Sequence, residues 1–283
     1  MAGAPVVEAV TEGVRDRVAE LAAEGITVGL GTILVGDDPA SAGYIRKKHE
    51  ASAATGIHSV DVHLPATATQ AELMAAVAAL NADPAVDAFL IQNPVPRGLD
   101  FNAALAAMDP DKDADGLHPA NLGRLALGVD GPVPCTPAGI QALLAHSGVP
   151  VEGRHVVIVG RGPTLGRPLA MLLSLTRPGA NAAVTVVHTG VPNWADYTRA
   201  ADIVVGAAGV PNMIGPDAVR PGAAVVGGGI SWEGKRLVSD VDESVAEVAG
   251  WVTPRLGGVG PTTVAMLLRN AVDAAERRRG RPA

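Results

Sequence analysis

The chain has 283 residues, a formal net charge of −7 and a pI of about 5.5, an acidic balance that excludes a general nucleic-acid binder, which needs a basic face to displace counterions. It is 48% hydrophobic but only 2% aromatic, so its core must be built from Ala, Val, Leu and Ile. Cys135 is the single cysteine, which excludes a disulfide framework and a cysteine zinc cluster and fits a reducing cytoplasm.

The length favours two domains. Val6 to Ala23 alternates apolar and charged residues at helical spacing, unlike a leader sequence, and no stretch is apolar enough to span a bilayer. Ile26–Val35 then reads as a strand, Ala40–Thr55 as a helix, His58–Leu64 as a strand, Gln70–Ala82 as a helix and Ala88–Ile91 as a short buried strand. Asn93 to Leu99, with two prolines and a glycine, must be a loop, and so must the polar segment 109–119. A fresh unit begins with a helix over Pro137–Ser147 and a buried strand over His155–Val159. A glycine turn and a helix from Thr164 to about Leu175 follow. Val184–Val187, Ile203–Gly206 and Ala224–Val226 repeat the strand signal at the spacing of a doubly wound sheet, and Pro261 to about Arg278 closes the chain as a helix. The fold class is α/β, with two domains and mostly parallel sheets.

In VVIVGRGPTLGRP, Gly160, Gly162 and Gly166 lie between a strand and a helix. Glycine there lets the backbone turn tightly and approach a pyrophosphate, which the helix N-terminus then holds. The third glycine comes one residue later than in the usual fingerprint, and a purely structural glycine turn is the bland alternative. An NAD site carries an acidic residue at the end of the next strand. Here that strand ends in His188, Thr189 and Gly190, while Arg161 sits in the turn, which favours the 2′-phosphate of NADP; an ordinary exposed arginine is the alternative.

Ser41, Tyr44 and Lys48 are spaced three and four apart and share one helical face. A lysine beside a phenol in a dry cleft can serve as acid or base, and the chain has only four lysines. A plain surface helix is equally compatible. This Tyr-x-x-x-Lys precedes the glycine turn by more than a hundred residues, unlike that of short-chain dehydrogenases, and so belongs to the other domain. The seven histidines lack ligand spacing, so no metal site is expected.

VGDDPASAGYIRKK, FLIQNPVP, PDKDADGLHPANLGRL, PCTPAGIQALL, VGRGPTLGRP and GGVGPTTVAMLL occur in one order over nearly the whole chain. Together they resemble the bifunctional methylenetetrahydrofolate dehydrogenase/methenyltetrahydrofolate cyclohydrolase family. The resemblance implies NADP-dependent oxidation of 5,10-methylenetetrahydrofolate, then hydrolysis of the methenyl product to 10-formyltetrahydrofolate. It makes Lys48, Tyr44 and Gln92 catalytic, and Asp115, Tyr44, Gly258, Pro261 and Thr263 substrate-binding. It assigns Gly160, Arg161, Gly162, Gly166, Arg167, His188, Thr189, Ala208, Gly209 and Ile230 to the cofactor; Lys112, Asp113 and His118, in the same loop as Asp115, read as supporting structure. The implied architecture is a folate-binding catalytic domain, 1–136 plus 260–283, with a Rossmann-type NADP domain, 137–259, inserted, and the family pattern is a cytoplasmic homodimer.

Several positions depart from the family pattern. Gly162 stands for serine, Gly227 for aspartate, Ser231 for asparagine, Arg255–Leu256 for Val-Pro, Thr262 for methionine and Asn93 for leucine. Two alternative readings accommodate them: a divergent monofunctional dehydrogenase and a catalytically silent NADP-binding paralogue. A third, another two-domain dehydrogenase of shikimate type, leaves the Tyr–Lys–Gln–Asp set unexplained.

Overall fold

Val- and Ile-rich runs between glycine and proline punctuation form two separate parallel sheets in the computed structural model, which describes residues 1–234 and 236–281. The chain divides into two compact units. One comprises Ala9–Arg124, Val129–Val133 and the chain from Val264 onward; the other comprises Met1–Glu8, Leu125–Gly128 and Pro134–Thr263. These edges differ from the expected domain bounds at both ends. The first residues join the second unit because Gly3 N–H donates to Gly257 O at 2.7 Å and the Met1 amine to Val252 O at 2.5 Å.

In the first unit, β1 (Gly29–Val35) is the middle strand, paired in parallel with β2 (His58–Leu64) and β3 (Ala88–Ile91). Ile33, Val35, Phe89 and Ile91 pack from the sheet against Leu73, Val77 and Leu80 of α3 (Gln70–Ala82). A capping box starts α3, with Glu72 N–H donating to Thr69 Oγ1 at 3.3 Å and Thr69 N–H to Glu72 Oε2 at 2.7 Å. Helix α2 (Pro39–Thr55) starts as firmly: Asp38 accepts from Ser41 N–H at 2.8 Å, Pro39 presets the first turn, and Gly56 ends the helix in the left-handed region. Asp87, buried, accepts from Gly29 N–H, Arg278 and Arg279, tying the C-terminal residues to β1. Arg278 and Arg279, in the basic run at 277–281, are thus ion-paired with Asp87.

In the second unit the strands are β4 (His155–Val159), β5 (Ala183–Val187), β6 (Ile203–Gly206), β7 (Ala224–Gly227) and a two-residue β10 (Trp251–Val252). Their order is β10-β7-β6-β4-β5, all parallel. That order is doubly wound, and its direction reverses between β4 and β6, so the loops leaving those two strands flank the switch point where such sheets bind ligands. A hairpin of β8 (Ile230–Glu233) and β9 (Arg236–Ser239) follows β7.

Helix α1 runs Ala4–Ala23, α6 (Cys135–His146) starts two residues before its expected Pro137, α7 is Gly166–Ser174 and α9 is Val259–Arg277. The expected loop 109–119 contains a 3-10 turn at Pro110–Lys112 and ends where α5 (Pro119–Leu127) begins. Short helices α4 (Phe101–Ala106) and α8 (Trp194–Arg199) and the β8–β9 hairpin were not foreseen from sequence. Each is too short to show a period.

Candidate active site

Three elements of the first unit converge on one charged group. Lys48, on α2, is 9% exposed, and its Nζ donates to Gln92 Oε1 at 3.1 Å. Gln92 leaves the end of β3 with its backbone N–H on Ile33 O at 2.8 Å and its side-chain amide donating to Asn93 O at 2.8 Å. Both amide ends are used, which fixes the oxygen toward the lysine. Tyr44, one turn before Lys48, is 42% exposed.

Asp115 is the third member. Burial pushes its carboxyl above the ordinary range, Lys48 pulls it back, and Asp113 pushes it further up. Its loop is built by Asp113, which is buried and accepts from Gly116 N–H at 2.9 Å, His118 N–H at 2.7 Å and Asn121 Nδ2 at 2.9 Å. Ala114 N–H donates to Phe89 O at 3.1 Å, and Asn270 of α9 donates to Ala114 O at 2.9 Å. Lys112 donates to Leu80 O and Asp83 O at the end of α3. Lys112, Asp113 and His118 are thus scaffold, as expected. Asn270 had no sequence signal, because its partners lie far away along the chain.

The second unit carries the glycine turn. Gly160 has φ +131°, and a Cβ there would overlap the Ala207 carbonyl; one on Gly166 would overlap the Gly160 carbonyl. Gly162 is different: its φ is not left-handed and open space surrounds the place of a Cβ, so the turn itself does not require it. Arg167 N–H donates to Gly162 O at 3.1 Å, and no side chain caps the start of α7. Two glycines forced by close backbone approach, at a switch point and before an uncapped helix start, fit a dinucleotide phosphate cradle. Arg161 Nη1 lies 3.2 Å from His188 Nε2 at the end of β5, where no carboxylate stands, and Thr189 beside it is exposed. Ala208 and Gly209, after β6, and Ile230, on the hairpin, are exposed as well. Gly258 is buried and Pro261 exposed, while Thr263 Oγ1 lies 3.2 Å from Thr136 Oγ1; all three belong to this second unit.

Residues 1–115 match the model of the tetrahydrofolate dehydrogenase/cyclohydrolase catalytic domain, and residues 134–279 match that of its NAD(P)-binding domain. The chain belongs to the tetrahydrofolate dehydrogenase/cyclohydrolase family. It is 61% identical over 276 residues to the bifunctional protein FolD of Syntrophotalea carbinolica, covering 98% of this chain and 95% of that one. It is also 61% identical over 277 residues to bifunctional protein FolD 1 of Salinispora tropica, covering 98% and 90%. The crystal structure of the bifunctional enzyme from Campylobacter jejuni superposes with a TM-score of 0.93 at 39% identity, over 98% of each chain. That of the Trypanosoma brucei enzyme, complexed with NADP cofactor and inhibitor, gives 0.92 at 39%, covering 99% of this chain and 97% of that one. The chain is accordingly an NAD(P)-binding enzyme of folate one-carbon chemistry, both a methylenetetrahydrofolate dehydrogenase and a methenyltetrahydrofolate cyclohydrolase. The readings as a silent paralogue or a dehydrogenase alone give way to this one.

The departures from the family pattern acquire local partners. A Cβ on Gly227 would overlap the Ser239 hydroxyl, so the serine occupies that space. Ser231 Oγ donates to Gly209 O at 2.5 Å. Arg255 reaches Leu237 O at 2.8 Å and Glu243 at 2.9 Å, and the buried Thr262 donates to Val259 O at 2.7 Å. Asn93 meets Gln92 through its backbone oxygen, which any residue supplies, so nothing in the structure explains the asparagine. Leu256 is exposed, and nothing in the structure explains it.

Proposed function

We propose that Lys48 moves the protons of the cyclohydrolase step, oriented by Gln92 with Tyr44 beside it, while Asp115 holds the reduced pterin. The observation carrying this is the hydrogen bond from the buried Lys48 to Gln92, in the same unit as the Asp115 loop. A pterin edge presents paired N–H donors, which one carboxylate accepts together. Water added to the methenyl carbon must lose a proton as the ring opens to 10-formyltetrahydrofolate, and Lys48 is the titratable group whose place Gln92 fixes. In this reading the folate domain is 1–136 plus 260–283, around a nucleotide domain of 137–259.

We further infer that the cofactor is NADP, held by Gly160, Arg161, Gly162, Gly166, Arg167, His188, Thr189, Ala208, Gly209 and Ile230. When bound, it supplies the two-electron acceptor for the methylene oxidation. The support is charge and hydrogen-bond chemistry at β5. A neutral imidazole offers one lone pair, yet both nitrogens of His188 face donors: Arg161 at 3.2 Å and Gly190 N–H at 3.1 Å. A phosphate oxygen takes the surplus guanidinium donor. We place the enzyme in the cytoplasm as a homodimer. The single, buried Cys135 fits a reducing compartment, and the exposed Trp232 offers apolar surface for self-association. Among the described residues no helix is long and apolar enough to cross a membrane.

The test mixes purified protein with methylenetetrahydrofolate and NADP and follows the methenyl absorbance. Wild type should show a rise and an enzyme-dependent decay. In Lys48→Met the decay should slow by about 10²–10⁴-fold, the worth of a positioned acid–base group. Undiminished decay in that variant overturns the assignment.

A further inference from the structure

The most completely buried acid of the second unit belongs to none of the groups assigned so far. Asp240 follows β9, is 1% exposed, and spends its carboxylate on three consecutive backbone donors of the loop after β6. Oδ2 accepts from Ala208 N–H at 2.7 Å and Gly209 N–H at 3.1 Å, and Oδ1 accepts from Val210 N–H at 2.8 Å. Successive N–H groups converging on one point form an anion-binding nest. Here the anion is built in. The loop's shape is therefore set by the protein itself before any phosphate arrives.

The same residue reaches the segment after β7. Asp240 N–H donates to Gly229 O at 3.1 Å, and a Cβ on Gly229 would overlap the Asp240 carboxylate. Gly228 and Gly229 N–H both donate to Gly206 O at 2.9 Å, so the ends of β6 and β7 are joined around this one side chain. Ser231 Oγ, bonded to Gly209 O, adds a second tie between the hairpin and the loop. Ala208 and Gly209 lie in one of the joined segments, and Ile230 lies between Gly229 and Ser231 in the other.

We infer that Asp240 is a positioning residue for the dinucleotide, a buried carboxylate clamp that holds the 207–210 loop and the Ile230 segment in the shape that receives the cofactor. The inference rests on the reading of Ala208, Gly209 and Ile230 as cofactor contacts. A structural role alone would affect both activities equally. A clamp on the cofactor loop affects the dehydrogenase and spares the cyclohydrolase, whose Lys48, Gln92 and Asp115 lie in the other unit.

The experiment compares full-length wild type, Asp240→Asn and Ser231→Ala. NADPH affinity is read by fluorescence titration, dehydrogenase kinetics by varying NADP, and cyclohydrolase rate on methenyltetrahydrofolate without nucleotide. Asparagine keeps the volume but turns an amide N–H toward one of the three donors. Its Kd for NADPH and KM for NADP should rise at least about tenfold, the equivalent of one lost charge-assisted hydrogen bond. Its cyclohydrolase rate should stay within about twofold. A smaller rise in Kd, or a parallel fall of both activities, overturns the clamp. Should Asp240→Asn fail to fold, Ser231→Ala decides: a rise of about threefold or more in Kd supports the clamp, and no change refutes it. Wild type that fails to bind NADPH overturns the cofactor reading and the clamp together; normal wild-type binding with an indistinguishable Asp240→Asn overturns the clamp alone.

Discussion

Replacing Gln92 by leucine removes the acceptor of Lys48 while nearly preserving side-chain volume. Lys48 is 9% exposed, so water cannot freely take the amide's place, and the 3.1 Å bond to Gln92 Oε1 is the Lys48 hydrogen bond found among the described residues. Loss of a hydrogen bond to a charged donor costs about 1.5–3 kcal/mol, more when the donor stays buried. If that orientation is needed in the transition state, the cyclohydrolase kcat/KM should drop by about 10–150-fold, at about 1.4 kcal/mol per decade. The assay is the decay of purified methenyltetrahydrofolate, corrected for its spontaneous hydrolysis, with urea unfolding run in parallel. A double-mutant cycle sharpens the result: Gln92→Leu in a Lys48→Met background should add little, because the pair acts as a unit. Activity within about twofold of wild type in Gln92→Leu refutes the reasoning, since the bond would then be incidental.

Arg161→Ala should raise the KM for NADP by about tenfold or more and leave NAD kinetics nearly unchanged, as steady-state rates with each cofactor would show. Asp115→Asn should raise the KM for the folate by about 10–150-fold through loss of a charged acceptor, and should also alter stability. Asp115 is raised above its ordinary 3.8, so the native state binds the extra proton and loses stability as pH climbs through the range between the unfolded and folded values. Asparagine removes that cost. Urea melts should show Asp115→Asn more stable than wild type at neutral pH, with the advantage fading as pH falls to 3.8. Gly162→Ser should change stability by no more than about 0.5 kcal/mol, whereas Gly160→Ala, facing the Ala207 carbonyl at positive φ, should cost more than about 1–3 kcal/mol. Thermal melts of the two variants check both.

Where local chemistry dictates structure, the sequence could be read closely. The bounds of His58–Leu64, Gln70–Ala82, Ala88–Ile91, His155–Val159 and Ile203–Gly206 agree with the structure, because capping residues, glycines and prolines punctuate each element. Tyr44, Lys48, Gln92 and Asp115 fall in one unit, and the glycine turn falls in the other. What escaped depends on distant partners. The strands Ile230–Glu233 and Arg236–Ser239 are half exposed and carry no clean alternation. Asp240 looks like any loop aspartate until the chain brings it to donors thirty residues away. In sequence Gly162 reads as necessary as Gly160, yet only the three-dimensional backbone tells a glycine demanded by a collision from one with room to spare.

The Ser239 hydroxyl overlaps the place where a Cβ at position 227 would project, so a side chain there has to turn that hydroxyl away. In its present rotamer that hydroxyl accepts from Val241 N–H at 3.2 Å, so the residue chosen at 227 also decides whether this bond is kept. Positions 227 and 239 are thus coupled across the strands, and removing the hydroxyl with Ser239→Ala frees the space that Gly227→Asp would need.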